Sequence, residues 1–251
     1  MPPILQRLYG KNQSESVLES PDMSIGKCNS PRLFLASNSP RRRELLALGG
    51  WEYNLLSAQV DETPLPDEDG IDYVQRLAKS KVYSAASQVG VDGVIIAADT
   101  SVINRPAGGR ARIFGKPRDH DEAAEMLRKL RGYTHQVHTA ISILKKQDGT
   151  LLSDLCTTNV PMRNYDNEEI EAYVASGDPM DKAGAYAIQH AGFHPVEKLE
   201  GCFANVMGLP LCHLTRSLIK IGIHTHEDVP QACQAKLGYD CPVYSEILKI
   251  K

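Results

Sequence analysis

The segment from Leu35 to Leu46, Leu-Ala-Ser-Asn-Ser-Pro-Arg-Arg-Arg-Glu-Leu-Leu, sets three arginines in the first turn of a predicted helix, directly after a short apolar run at residues 33–36. Ser39 is a favoured N-cap, Pro40 fits the first helical position, and Leu45, Leu46 and Leu48 open an apolar face. Unpaired N–H groups, the positive end of the helix dipole and the guanidinium groups of Arg41, Arg42 and Arg43 would converge on one small volume, a place that suits a polyphosphate. The alternative is a solvated basic start to an amphipathic helix. Positive charge there opposes the dipole unless an anion is present.

Further candidates lie along the chain. The run at residues 93–98 reads as a strand buried on both faces, and the segment Ala97-Ala-Asp-Thr-Ser101 ends it with a carboxylate, where an open α/β sheet presents reactive groups to a cleft. Asp99 is the leading catalytic candidate: it could hold a hard divalent cation, accept a proton from an attacking water, or do both. A turn or capping aspartate is the structural alternative. Asp61 and Glu62 follow another predicted strand, with Glu62 the better functional candidate and Asp61 well explained by turn work. Lys81 and Lys116 add cations at separated points, although a mid-helix lysine is usually solvated and Gly-Lys-Pro is usually a turn. In Asp181-Lys-Ala-Gly-Ala-Tyr-Ala-Ile-Gln189, small residues allow close backbone approach and the Gln189 amide can donate to and accept from a base edge. Tight packing, with Tyr186 filling core and Gln189 capping an edge, explains the same residues structurally. No G-x-S-x-G, Walker A or G-x-G-x-x-G motif occurs, so serine hydrolase and Rossmann readings fail.

These groups need elements to hold them. After a Pro-, Ser- and Asn-containing extension over residues 1–30, strand-like and helix-like segments alternate. Helices are predicted from Arg41, over residues 71–87, after Pro117 with a stripe of Ala123, Met126, Leu127 and Leu130, over 170–175 behind an Asp166/Glu169 cap, and over 211–221. Residues 53–57 read as a strand, and 135–144 with 151–162 as a long antiparallel hairpin. The expectation is an α/β fold with a mixed sheet and flanking helices, its main domain at residues 31–222. A C-terminal extension at 223–251 carries His224, His226, Cys233 and Cys241, four soft ligands whose spacing fits no usual structural zinc site.

The bulk composition agrees with a site-based function. A chain of 251 residues can bury a substantial core, and 28 Lys plus Arg against 31 Asp plus Glu, net −3, argues against extensive nucleic acid or acidic membrane binding. No signal-peptide core and no apolar stretch of roughly 20 residues is present, which predicts a soluble cytoplasmic protein. The six scattered cysteines include no C-x-x-C, so reduced thiols are expected.

Taken in order, Leu-Ala-Ser-Asn-Ser-Pro-Arg-Arg, Val-Asp-Glu-Thr, Arg-Leu-Ala-x-x-Lys, Ala-Asp-Thr, Gly-Lys-Pro-Arg, Leu-Arg-Lys-Leu-Arg-Gly-Tyr-Thr-His, Asp-Lys-Ala-Gly-Ala-Tyr-Ala-Ile-Gln and Asn-Val-Met-Gly-Leu-Pro resemble the Maf (septum formation protein) family of nucleoside triphosphate pyrophosphatases, from about residue 32 to 220. The resemblance implies an elongated mixed α/β fold with two lobes around a cleft, related in plan to the inosine triphosphate pyrophosphatases, usually a homodimer, and a hydrolysis of the α-β phosphoanhydride that depends on Mg²⁺ or Mn²⁺. By the same resemblance Asp99 matches the proton acceptor, Arg41, Thr100 and Gln189 match specificity positions, Ser37, Arg42, Lys81 and Lys116 match substrate-binding positions, and Glu62 lies with Asp99 at the metal. The Ala-Gly-Ala-Tyr-Ala-Ile-Gln form is similar to the branch acting on dTTP and UTP, which makes a nucleoside triphosphate the expected partner. His190-Ala-Gly-Phe-His194 departs from the glycine-richer relatives and bears on base preference. Two other readings stay open: a nucleotide-binding regulator of cell division, and a housecleaning enzyme for 7-methyl-GTP or other modified nucleotides.

Overall fold

In the computed structural model, which describes residues 31–104 and 111–249, strand β1 (Arg32–Ala36) runs into helix α1 (Pro40–Ala47) through Ser37, Asn38 and Ser39. The expected N-terminal extension, residues 1–30, lies outside the described residues. Ser39 caps α1 through its hydroxyl and the Arg42 amide, and Pro40 sits in the first turn, where its missing N–H costs nothing. Leu45 and Leu46, on the inner face, are fully buried, each worth about 2 kcal/mol of transfer free energy.

Six strands form one mixed sheet among the described residues, in the order β2-β1-β3-β5-β6 with β4 added beside β3. Strand β2 (Tyr53–Leu56) and β3 (Gly93–Asn104) flank β1 in parallel, while β5 (Thr134–Lys145) and β6 (Thr150–Pro161) make the long antiparallel hairpin expected from their alternation. The register decides where a cleft can open. One edge of β3 is covered by β5 from Val94 to Ile103; its other edge meets β1 only as far as Ile96 and β4 (Arg112–Phe114) only from Val102. Residues 97–101 therefore lie beside a gap in the sheet. This corrects the expectation that Asp99 ends its strand: β3 continues to Asn104, because Val102 and Ile103 carry on the buried β-branched pattern after the polar interruption. What ends near Asp99 is the parallel partner, so the carboxylate still emerges beyond the C-terminal edge of β1.

Helix α2 (Gly70–Ala85) lies on one face of the sheet, burying Val74, Leu77, Ala78, Val82 and Ala85, and its expected last turn is instead a short 3-10 turn at Ala86–Gln88. On the opposite face α1 packs with α5 (Phe203–Met207) and α6 (Leu211–Ile219) around Leu35, Ile96 and Ile143. A separate apolar cluster joins α3 (His120–Leu130) and α4 (Asn167–Ala175) to Val102, Val137 and Val160 at the far ends of the strands. The Asp166/Glu169 capping box forms as its spacing predicts. Residues 223–249 are not loosely attached: Ile223 and Val229 are buried in the first cluster, and α7 (Val229–Leu237) and α8 (Tyr244–Ile247) follow. Cys233 and Cys241 line a small apolar cavity with Cys202 and Cys212. No helix among the described residues is long and apolar enough to cross a membrane.

Candidate active site

The gap beside β3 opens into a cavity of about 350 Å³, lined by the nine residues to which the family resemblance gives a role: Ser37, Arg41, Arg42, Glu62, Lys81, Asp99, Thr100, Lys116 and Gln189. Adjacent residues of a strand point to opposite faces, so Asp99 and Thr100 can share one cavity only where the neighbouring strand is missing.

At the centre is a charge triad. The Lys81 ammonium donates to Asp99 Oδ1 at 2.5 Å and lies 2.7 Å from Glu62 Oε1. The sequence suggested a solvated lysine, but Lys81 falls on the apolar stripe of α2, with Leu77 and Ala78 before it and Ala85 after it, so its side chain is only 11% exposed. That stripe position is the signal for its burial. Tyr73, about two turns earlier on α2, donates to the Glu62 carbonyl at 2.8 Å and fixes the loop that carries Glu62. Burial and the facing carboxylates push the Tyr73 phenol up to about 12, so it stays a neutral donor.

The two acids of the triad are driven in opposite directions. Burial raises the Asp99 carboxyl above the ordinary aspartate value, against the pull of Lys81 and Arg42. Partial burial would raise Glu62 as well, but the Lys81 hydrogen bond and the charges of Lys81, Lys116 and Arg42 hold it below the ordinary value.

Arg42 closes the opposite wall. Its Nε donates to the Gly208 carbonyl at 2.8 Å, its Nη2 to Thr100 Oγ1 at 3.0 Å, and Thr100 in turn meets Thr139, which donates to the Asn205 carbonyl at 2.9 Å. This threads α1, β3, β5 and α5 into one network. Gly208 has φ +107, and a Cβ there would press on Thr100 Oγ1 and Arg42 Nε at 3.2 and 3.4 Å, so the close carbonyl approach needs glycine. Arg41 turns instead toward Asp181, donating to its Oδ2 at 3.0 Å. Arg43 does not line the cavity; its Nη2 donates to the Asn38 carbonyl at 3.4 Å. Consecutive helix residues are splayed by about 100°, so three in a row cannot converge on one volume, and the expectation for Arg43 is corrected. Asp61 also stays outside, its Oδ1 accepting from the Thr63 amide at 2.9 Å in an Asx turn. Lys116 and Gln189 are exposed at the rim. Asp181 and Lys182, not singled out from the sequence, complete the lining.

A family profile described as "Maf-like protein" matches residues 32–221. Among curated relatives, a protein of Geobacter sulfurreducens named dTTP/UTP pyrophosphatase is 40% identical over 197 residues, 76% of this chain and 97% of its own length. One of Hahella chejuensis with the same name is 42% identical, covering 82% of this chain and 100% of that one, and one of Escherichia coli O6:K15:H31 is 44% identical over 71% and 87%. A solved dITP/XTP pyrophosphatase of Mycobacterium abscessus superposes with a TM-score of only 0.37 at 14% identity, over 76% of this chain and 98% of that chain, too weak a likeness to argue from. On the profile match and the full-length relatives together, the chain belongs to the Maf family.

Proposed function

We propose that this cavity hydrolyses a pyrimidine nucleoside triphosphate, dTTP or UTP, between its α and β phosphorus atoms to give a nucleoside monophosphate and pyrophosphate. The observation that carries the reading is the Lys81 ammonium held between Asp99 and Glu62 in a cavity walled by Arg41, Arg42 and Lys116. Four cations, two from α1, one from α2 and one from the loop after β4, suit the negative charge of a triphosphate, and the names of the relatives point to the same substrates.

Asp99 takes the role of proton acceptor for the attacking water, since its raised affinity for protons makes it the more basic of the two acids. The electrons of the P–O bond leave with the β-phosphate, and Arg41, Arg42, Lys81 and Lys116 stabilise the charge that develops there. Glu62, held ionised, keeps Lys81 in place and adds a permanent anion. Glu62 and Asp99 are hard oxygen donors that share the Lys81 ammonium through one oxygen each, and as carboxylates they would suit Mg²⁺ or Mn²⁺; among the described residues no third His, Cys, Asp or Glu joins them. When bound, such an ion neutralises charge across the phosphate oxygens. Gln189 at the rim offers its amide to the edge of the base, with Thr100 and Arg41 lining the same cavity.

Purified protein with Mg²⁺ and UTP or dTTP should release monophosphate and pyrophosphate in equal amounts through many turnovers. Stoichiometric binding without product would replace this reading with that of a nucleotide sensor.

A further inference from the structure

The segment Asp178–Gln189 contains a second buried lysine, whose two acidic partners reach Arg41 and Tyr173. Lys182, with its side chain 9% exposed, donates to the Asp178 carbonyl at 2.5 Å, to Asp178 Oδ1 at 3.1 Å and to Asp181 Oδ1 at 2.7 Å. These use all three ammonium protons. The other oxygen of Asp181 accepts from Arg41. The other oxygen of Asp178 accepts from the Tyr173 hydroxyl at 2.6 Å, and that hydroxyl accepts from the Ala187 amide at 2.9 Å, two residues before Gln189.

We propose that Lys182 is a positioning residue for substrate selection: through Asp181 it sets where Arg41 stands, and through Asp178 and Tyr173 it sets the backbone that presents Gln189 to the base. The proposal deepens the function argued above and rests on it for the identity of the base reader.

Three further observations support this role. Both acids are held below the ordinary aspartate value: burial, the largest single influence, would raise them, but Tyr173 and Lys182 at Asp178, and Lys182 and Arg41 at Asp181, together outweigh it. The backbone that follows is conformationally committed, with φ +72 at Gly184 and +59 at Ala185, and a Cβ on Gly184 would meet the Val102 side chain at 2.9 Å. The Gly184 amide also donates to the Gly115 carbonyl at 3.0 Å, beside Lys116, so a shift of this segment would move a third cavity cation. The Arg41 link is a tether and not a lock. Asp181 is 58% exposed, so water and phosphate can compete for Arg41 while Lys182 retains the other carboxylate oxygen.

The test uses the full chain and four variants, with kcat and KM for UTP and CTP, thermal unfolding, and calorimetric binding of inorganic tripolyphosphate as a base-free probe. Lys182→Met should raise KM for UTP about tenfold with kcat within about threefold, and should collapse the UTP over CTP preference; Lys182→Arg should restore part of it. Asp181→Asn should weaken tripolyphosphate binding several-fold, whereas Asp178→Asn should erode base preference and leave tripolyphosphate binding unchanged. Equal losses for UTP and CTP in Lys182→Met, tracking a fall in thermal midpoint, would reduce Lys182 to a structural role and overturn the proposal. Tighter tripolyphosphate binding by Asp181→Asn would overturn it too, because Asp181 would then be restraining Arg41. Absence of UTP turnover in the parent protein would instead sink the proposed function, and the tripolyphosphate arm would still read the Arg41 link.

Discussion

Two buried lysines in this molecule each bridge two carboxylates, and they differ in how the triads are assembled. Lys182 gathers Asp178 and Asp181 from its own local segment, at separations of four and one residues, and both acids end up held low. Lys81 gathers Glu62 from the loop before α2 and Asp99 from β3, and those two acids are pushed apart. A local triad with like-behaving acids fixes backbone. A triad built across elements, with one acid driven up by burial and the other held down, has the makings of acid–base chemistry.

Removing each lysine should therefore have unequal effects. Lys81→Met leaves Asp99 buried without its partner and should destabilise the fold by about 3–5 kcal/mol, read by denaturant unfolding. Lys182→Met leaves acids that water reaches, 32% and 58% exposed, and should cost about 1 kcal/mol. Equal losses would erase the distinction. Within the Lys81 triad, Asp99→Asn keeps the size but removes the base and should lower kcat by roughly 100-fold or more with nucleotide affinity still measurable; turnover near that of the parent would remove Asp99 from the chemistry.

A smaller effect sharpens the Lys182 side of the comparison. His135, buried under the same segment and 2.8 Å from the Tyr186 hydroxyl, is held down to about 3 by burial. The unfolded chain takes up that proton below about 6.5 and the folded protein does not, so stability should fall as pH drops through this window. The loss from this group should be on the order of 2 kcal/mol by pH 5. His135→Gln should flatten that part of the pH–stability curve, and an unchanged slope would show that His135 is not the group responsible.

Much of this architecture was legible in the chain because its signals are local. The Ser39-Pro40 start of α1, the Asp166/Glu169 box and the alternation of β5 and β6 each act through neighbouring residues. Seven of the nine cavity residues were legible one by one as chemical types, while Ser37 and Thr100 were assigned only by the family resemblance. What eluded the sequence depends on contacts between distant segments. The continuation of β3 past Asp99 requires β4 and β5, the departure of Arg43 follows from helical rotation, and the burial of Lys81 was visible only as a charge on an apolar stripe. Lys182 was hidden more completely. Its importance lies in what Asp178 and Asp181 touch on their far sides, Tyr173 and Arg41.

The cleavage chemistry itself is most directly read by hydrolysing UTP in heavy-oxygen water and locating the label by mass spectrometry. Attack at the α-phosphorus places the heavy oxygen in UMP and leaves pyrophosphate unlabelled. Label in pyrophosphate, or release of UDP and orthophosphate, would contradict it.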